Sequence, residues 1–242
     1  MHLDDPSKHV TLWSGDAEGP ANQGAQLQAE LANTIVGILT CSNRALAPAH
    51  GLTDPALLTR YLHACDIIAN GDFAVEPHNN LELLSSLRAV TVGAPDFALA
   101  HSDLAMFGAA LAPTFPPDQA DPLRREAATE AARALSLDPK SADAYVAQAF
   151  LLPPDRWADR ERLMRAGVAA DPAWPFANGF LATQLSETGR LHEATQAAEK
   201  AASTDLNIGW GEDASFMAGM DGQAGRCVDD VGRFLKLAPK SS

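Results

Sequence analysis

The chain has 242 residues, 46% of them hydrophobic and 20% charged, and a formal net charge of −13. That balance disfavours nucleic-acid binding through the bulk surface, because phosphate contacts need clustered Lys and Arg; the acidity reads as a device for solubility, or as complementary to a basic partner. Three cysteines, Cys41, Cys65 and Cys227, are widely spaced and odd in number. They suggest buried free thiols rather than a disulfide framework or metal motif. No run reaches the ~18 apolar residues of a membrane span, and MHLDDPSKHV is not a signal peptide, so a soluble chain is expected.

Residues 1–8 are polar and read as loose. His9–Trp13 alternates and is β-rich, so it predicts a short strand. Gly15, Gly19, Pro20 and Gly24 mark a loop, and a helix is expected from Asn22 to about Leu46, with Leu27, Leu31, Ile35, Ile38 and Leu39 on one side. HVTLW has no evident partner within the chain, and a lone strand is marginal in water, so it needs a sheet to join. Asp54-Pro55 starts a further helix that runs to Gly71, with Pro at its first position. The next, PHNNLELLSSLRAV, takes Asn79 or Asn80 as its N-cap. Helices are then expected over Ala98–Leu111 and Leu123–Leu137. The segment between them, PTFPPDQADP, cannot be helical throughout.

From there the pattern is regular. Ala142, Ala144, Tyr145 and Ala149 mark one helix, and Leu163 and Ala166 line the following one. Asp171 to Leu206 reads as two amphipathic helices. Phe180, Leu181 and Leu185 stripe the first; Gly189 ends it, because glycine enters the left-handed cap cheaply. Ala194, Ala198 and Ala201 share one face of the second and allow close helix approach. Gly209 to Pro239 is degenerate, with five glycines in GWGEDASFMAGMDGQAG, yet keeps Val228, Val231, Phe234 and Leu235 on a last helix, Arg226–Leu237.

The turn positions Pro95, Pro139, Pro172, Leu206 and Pro239 are separated by 44, 33, 34 and 33 residues. A period of about 34 marks helical-hairpin repeats, and the long interval holds the proline-rich insertion. The unit 171–206 resembles a tetratricopeptide (TPR) repeat at Leu181, Ala182, Leu185, Gly189, Ala194 and Ala201. It departs at Asn178, Ala198 and Leu206, where the family favours Trp, an aromatic and Pro. The expected fold class is therefore all-α: a right-handed TPR-like α-solenoid of antiparallel helix pairs with a short N-terminal strand. The repeats would span about 49–94, 95–138, 139–171, 172–205 and 206–242. Residues 1–48, a strand, loop and LQAELANTIVGIL helix, resemble the end of the TolB-like module that precedes TPR repeats in bacterial winged-helix regulators and class III adenylate cyclases. The YLHAC helix and PDFALAHSDLA resemble the same group.

The resemblance implies a concave groove lined by first helices. Its positions fall on Leu99, Ser102, Met106, Asp143, Val146, Phe150, Phe176, Gly179, Thr183 and Ser186, uncharged apart from Asp143. Carboxylate-clamping TPRs use Lys and Asn there, so capture of a chaperone tail is not expected. Catalytic chemistry is not expected either. His63 and Cys65 lie two apart on a helix and point away from each other. His101 falls at a packed position, His192 lies on a repeat helix, and Asp229-Asp230 reads as a solvated face. Ser14-Gly15-Asp16 lacks the glycine of a nucleophile elbow, and GMDGQAGR lacks the Lys-Ser/Thr ending of a phosphate loop. No metal and no cofactor is expected.

These features imply a non-enzymatic domain that binds a protein or peptide in the groove, as the effector region of a bacterial regulator. The alternatives are a small-molecule sensor in a transcription regulator and the regulatory tail of a nucleotide cyclase. No membrane or direct nucleic-acid contact is expected. A cytoplasmic location follows, or a periplasmic one if the parent protein is anchored. A homodimer is expected through HVTLW, whose exposed edge would pair with a second copy, or through the last helix. The competing reading packs the strand against the first helices, with Trp13 as anchor.

Overall fold

The computed structural model describes residues 1–6, 8–16, 24–47, 51–70, 77–204 and 208–229. The class is the expected one, an all-α helical-repeat solenoid, and within each of the chain's two units each described helix packs on its sequence neighbour. The chain forms two compact units, Met1–Pro139 and Lys140–Ser242.

The first unit opens with a hairpin. β1 (His2–Asp5) pairs antiparallel with β2 (Val10–Ser14). The expectation of loose residues 1–8 and an unpartnered strand is thus corrected: the polar start of the chain supplies the missing strand. The protonated Met1 amine also donates to the Gly15 carbonyl at 2.7 Å. Leu3 lies opposite Trp13 and Asp4 opposite Thr11. Leu12 is therefore an extra residue, and the irregularity lets two successive side chains, Leu12 and Trp13, both turn inward. β2 packs on the helix at 55–70, as the anchored-strand reading anticipated.

α1 (Gly24–Ala45) buries Thr34, Ile38, Ser42 and Ala45. These residues are spaced four, four and three apart along one face, which leaves the expected core residue Leu39 51% exposed. α2 (Pro55–Asn70) starts where Asp54 accepts the Ala56 N–H at 2.8 Å. It buries Leu58, Tyr61, Leu62, Ala64 and Cys65. Cys65 is disulfide-bonded to Cys41 of α1, with Cα atoms 6.4 Å apart. This corrects the expectation of free thiols: the cysteines are far apart in sequence, but consecutive antiparallel helices bring them face to face. α3 (Pro77–Gly93) begins before Asn79 and Asn80, so neither is the N-cap; Pro77 takes the first position, where its fixed φ suits the helix and its missing N–H costs nothing.

α4 (Ala98–Leu111) has its expected bounds. A single 3-10 turn, Ala112–Thr114, separates it from α5 (Pro117–Leu137). The surplus residues of this repeat thus form a 3-10 turn and an early start to α5, with Pro122 accommodated near its N-terminus. Ala127, Ala131 and Ala134 are wholly buried. A Cβ on Gly108 of α4 would lie 3.4 Å from the Ala127 Cβ, so small residues on both helices set this close approach. α1, which precedes the boundary expected at residue 48, packs on α2.

The second unit contains α6 (Ala142–Leu151), α7 (Trp157–Ala170), α8 (Pro175–Glu187), α9 (Leu191–Thr204) and α10 (Ile208–Met220). Besides sequential pairs, α6 meets α8 and α8 meets α10, so first helices of successive repeats stack. Ser141 caps α6 by accepting the Ala144 N–H. On α7 the buried residues are Met164 and Gly167, while Leu163 and Ala166 are half-buried. The contact face is rotated by one residue from the expected one. Gly167 is the reason: a Cβ there would lie 3.1 Å from the Ala142 carbonyl oxygen, so α7 meets α6 through its glycine.

α8 ends as expected. Gly189 has φ +76°, the Arg190 N–H reaches the Leu185 carbonyl at 2.9 Å, and the Gly189 N–H reaches Ser186 at 3.0 Å. This is the two-bond glycine cap that satisfies the last carbonyls. Leu181, Ala182, Leu185, Ala194 and Ala198 join Met164 and Met217 in one core cluster. The glycine-rich α10 forms nonetheless, and buries Ala214, Met217 and Ala218. A further helical stretch covers 224–229; the rest of the expected last helix lies outside the described residues.

Candidate functional site

The positions implied for groove lining divide by burial. On α4, Leu99 is half-buried, while Ser102 and Met106 are each 1% exposed. Eleven of the fourteen α4 residues are buried, so this helix is chiefly core. The Ser102 hydroxyl donates to the Leu99 carbonyl at 2.9 Å. His101 is packed, as expected: Nδ1 meets the Glu130 carboxylate and Nε2 the Pro95 carbonyl at 3.1 Å. With both ring nitrogens engaged, no nitrogen is left for substrate chemistry. The Tyr61 hydroxyl donates to the buried Asp103 carboxylate at 2.6 Å.

In the second unit, Asp143, Val146 and Gly179 are buried. Asp143, the one charge among these positions, accepts from the Trp174 indole N–H. Phe150, Phe176 and Ser186 are half-buried and Thr183 is exposed. The structure brings these accessible residues together on α6 and α8. The Phe150 and Phe180 rings pack edge to face, centroids 4.8 Å apart at 81°. Phe176 lies 6.0 Å from Phe180 and 5.4 Å from Trp174. The row Phe150–Phe180–Phe176–Trp174 is continuous, and its quadrupolar edges and faces favour further aromatic or aliphatic contact. The Thr183 and Ser186 hydroxyls donate back to Gly179 and Thr183 carbonyls, at 3.2 and 2.8 Å. Trp174 and Phe180 were not among the implied lining residues. The WPF run at 174–176 was the available signal, since an aromatic just before a proline-started helix must lie beside its first turn.

The second helices are fastened by charge. Arg190 reaches Glu193 at 2.5 Å and Glu161 at 2.5 Å, and Arg165 reaches Glu161 at 2.8 Å and Glu193 at 3.0 Å. α7 and α9 are thereby tied across the α8 repeat. Burial alone would raise the Glu161 carboxyl, but the hydrogen bonds from Arg165 and Arg190 outweigh it and hold it below its ordinary range. Glu193 is held low mainly by the Arg190 hydrogen bond. These are structural ties; exposed pairs of this kind add little individually and more as a network.

Among the described residues, no group of three or more His, Cys, Asp or Glu side chains could hold a metal ion. His63 faces Glu82 at 2.9 Å and His192 faces Asp221 at 3.1 Å. No described helix is long and apolar enough to cross a membrane. Two surface depressions on the first unit are lined by described residues. One lies between α2 and α3 around His63 and Glu82, the other around Thr53, Asp54 and Gly93–Phe97. Neither is lined by α1.

No protein-family model and no curated protein matches the chain. The fold resembles solved structures of MamA. One, a crystal structure, is 16% identical with a TM-score of 0.45, over 71% of this chain and 95% of that one. Another is MamA of Desulfovibrio magneticus RS-1 from residue 41 to its end, also 16% identical at TM-score 0.45, over 79% of this chain and 100% of that one. At such identity no residue role transfers.

Proposed function

We propose that this chain is a non-catalytic helical-repeat interaction domain whose partner, a protein or peptide, docks on the α6–α8 face of the second unit. The observation that supports this is the half-exposed aromatic row Phe150, Phe180, Phe176 and Trp174, with Thr183 and Ser186 beside it. Aromatic side chains give large contact area at low entropic cost and dominate interface hot spots. The one carboxylate at an implied lining position, Asp143, is already engaged by Trp174, so charge is not what the face recognises. An extended segment with apolar or aromatic anchors fits that chemistry. The earlier implied lining at Ser102, Met106 and Val146 contributes packing beneath the surface instead.

The regulator context rests on the sequence resemblance of residues 1–48, the YLHAC helix and PDFALAHSDLA. Of its versions, the sensor reading calls for a pocket between α1 and the first repeat.

The test is selection of peptides from a displayed random library on the purified chain, followed by titration of the enriched peptides against Phe150→Ser and Phe176→Ser variants. The expected result is peptides rich in apolar side chains, weakened at least about tenfold by either substitution, a loss of about 1.4 kcal/mol. Enriched peptides that bind both variants as well as the parent would overturn this assignment of the face.

A further inference from the structure

We propose that the Cys41–Cys65 disulfide is a redox-controlled latch that holds α1 onto α2. Few of the described large apolar side chains of α1 are fully buried. Among its residues whose burial is described, the only large fully buried side chain is Ile38; Thr34, Ser42 and Ala45 are also buried, and Leu27, Leu31 and Ile35 are half-buried. Val36 and Leu39 face outward, at 42% and 51% exposure. α2 is different, with Leu58, Tyr61, Leu62 and Ala64 buried at 4% or less. Where the two helices meet, a Cβ on Gly37 would lie 3.2 Å from the Ala69 Cβ. The approach is close but made by small groups, and hydrophobic attachment scales with apolar area removed from water. The covalent bond therefore carries a larger part of the attachment of α1 than of any other described helix; the sole other described cysteine, Cys227, is free.

The two sulfurs also differ in access. Cys65 is 2% exposed and Cys41 is half-buried, so a dithiol reductant reaches Cys41 first. Its thiolate attacks the Cys41 Sγ, the S–S bond breaks, and Cys65 leaves as a thiolate that takes up a proton. The second thiol of the reductant resolves the mixed disulfide and releases the Cys41 thiol. Two electrons pass to the protein, and the reductant departs as a disulfide. α1 then detaches and uncovers the α2 surface that carries Cys65 and Ala69. Oxidation by a disulfide donor reverses the sequence.

The experiment follows amide hydrogen exchange in the full chain by mass spectrometry, with and without dithiothreitol. Thiols are counted first, in denaturant without reductant; one reactive thiol is expected. Reduction is expected to speed exchange at least tenfold in peptides of 34–45 while peptides of 142–204 are unchanged. A Cys41→Ser variant is expected to show the fast exchange without reductant, and dithiothreitol should add nothing to it. Three reactive thiols in the untreated protein would overturn the proposal, as would unchanged exchange in 34–45 on reduction. Equal loosening across the whole of 1–139 would overturn it too, because the bond would then staple the unit rather than latch one helix.

Discussion

Gln184 is 2% exposed on α8, and neither its carbonyl oxygen nor its amide nitrogen has a hydrogen-bond partner. A primary amide taken out of water without a compensating bond costs roughly 1–3 kcal/mol on protein mutational scales. Gln184→Met keeps the length and unbranched shape of the side chain but carries no group that needs a partner. The packing change is therefore small, and volume-conserving swaps of this kind cost under about 1.5 kcal/mol. The expected net effect is stabilisation by about 1–2 kcal/mol. With a urea slope near 1.5 kcal/mol/M, the midpoint should rise by about 1 M at unchanged slope. Three of the four tryptophans, Trp157, Trp174 and Trp210, lie in the second unit, so intrinsic fluorescence reports its unfolding. Gln184→Glu supplies the opposite perturbation, since an unpaired buried carboxylate should destabilise strongly or be forced to stay protonated. A Gln184→Met midpoint at or below the parent's would refute the reasoning, by showing that the amide is satisfied in solution.

Three further outcomes are expected. Ala194→Trp and Ala201→Trp should each destabilise the second unit by about 1–3 kcal/mol, because both positions are wholly buried between packed helices; urea midpoints equal to the parent's would count against that contact. Glu161 and Glu193 both titrate below their ordinary range when folded, so they bind protons less readily folded than unfolded. Their contribution is present above the unfolded carboxylate value of about 4.3 and is lost as pH falls through the lower folded values; thermal midpoints should drop more steeply on acidification below that pH in the parent than in Arg190→Met. Finally, the purified chain should neither bind DNA with submicromolar affinity nor hydrolyse nucleotides, given its charge of −13; salt-sensitive DNA binding in a filter assay would contradict the first part.

The helical repeats were legible because their signals are local. The period of about 34, the alanine faces and Gly189 each depend on a few neighbouring residues, and α4 and the Gly189 cap lie where the pattern puts them. What was not legible depended on pairing over distance. The strand at Val10–Ser14 is visible by alternation, but its partner HLDD has no β-rich alternation at all; the register, with its irregularity at Leu12, comes from the need to bury Leu12 and Trp13 together. Likewise the spacing of Cys41 and Cys65 carries no motif. Only the antiparallel packing of α1 on α2 gives it meaning. The one-residue rotation of α7 has the same origin, since alanine, leucine and glycine are all plausible contact residues until the Ala142 carbonyl is placed.

The groove positions show the limit from the other side. A family position specifies where a Cα lies along a first helix, whereas availability to a partner depends on what covers the side chain. Asp143 and Phe150 occupy implied lining positions on the same helix, yet Asp143 is 1% exposed and tied to Trp174 while Phe150 stays accessible. The tie also sets the character of the face, because engaging the carboxylate with an indole N–H removes its demand for a cationic partner and leaves the aromatic edges as the recognisable chemistry. Disrupting it should change specificity rather than merely weaken binding. In Trp174→Phe an aromatic ring remains and the N–H donor is lost, so Asp143 loses that bond while keeping its other contacts. Peptides selected on this variant should gain Lys or Arg relative to those selected on the parent. Selection of the same apolar peptides by both would show that Asp143 stays silent without that bond, through its burial and its remaining contacts, and that the indole contributes only its ring.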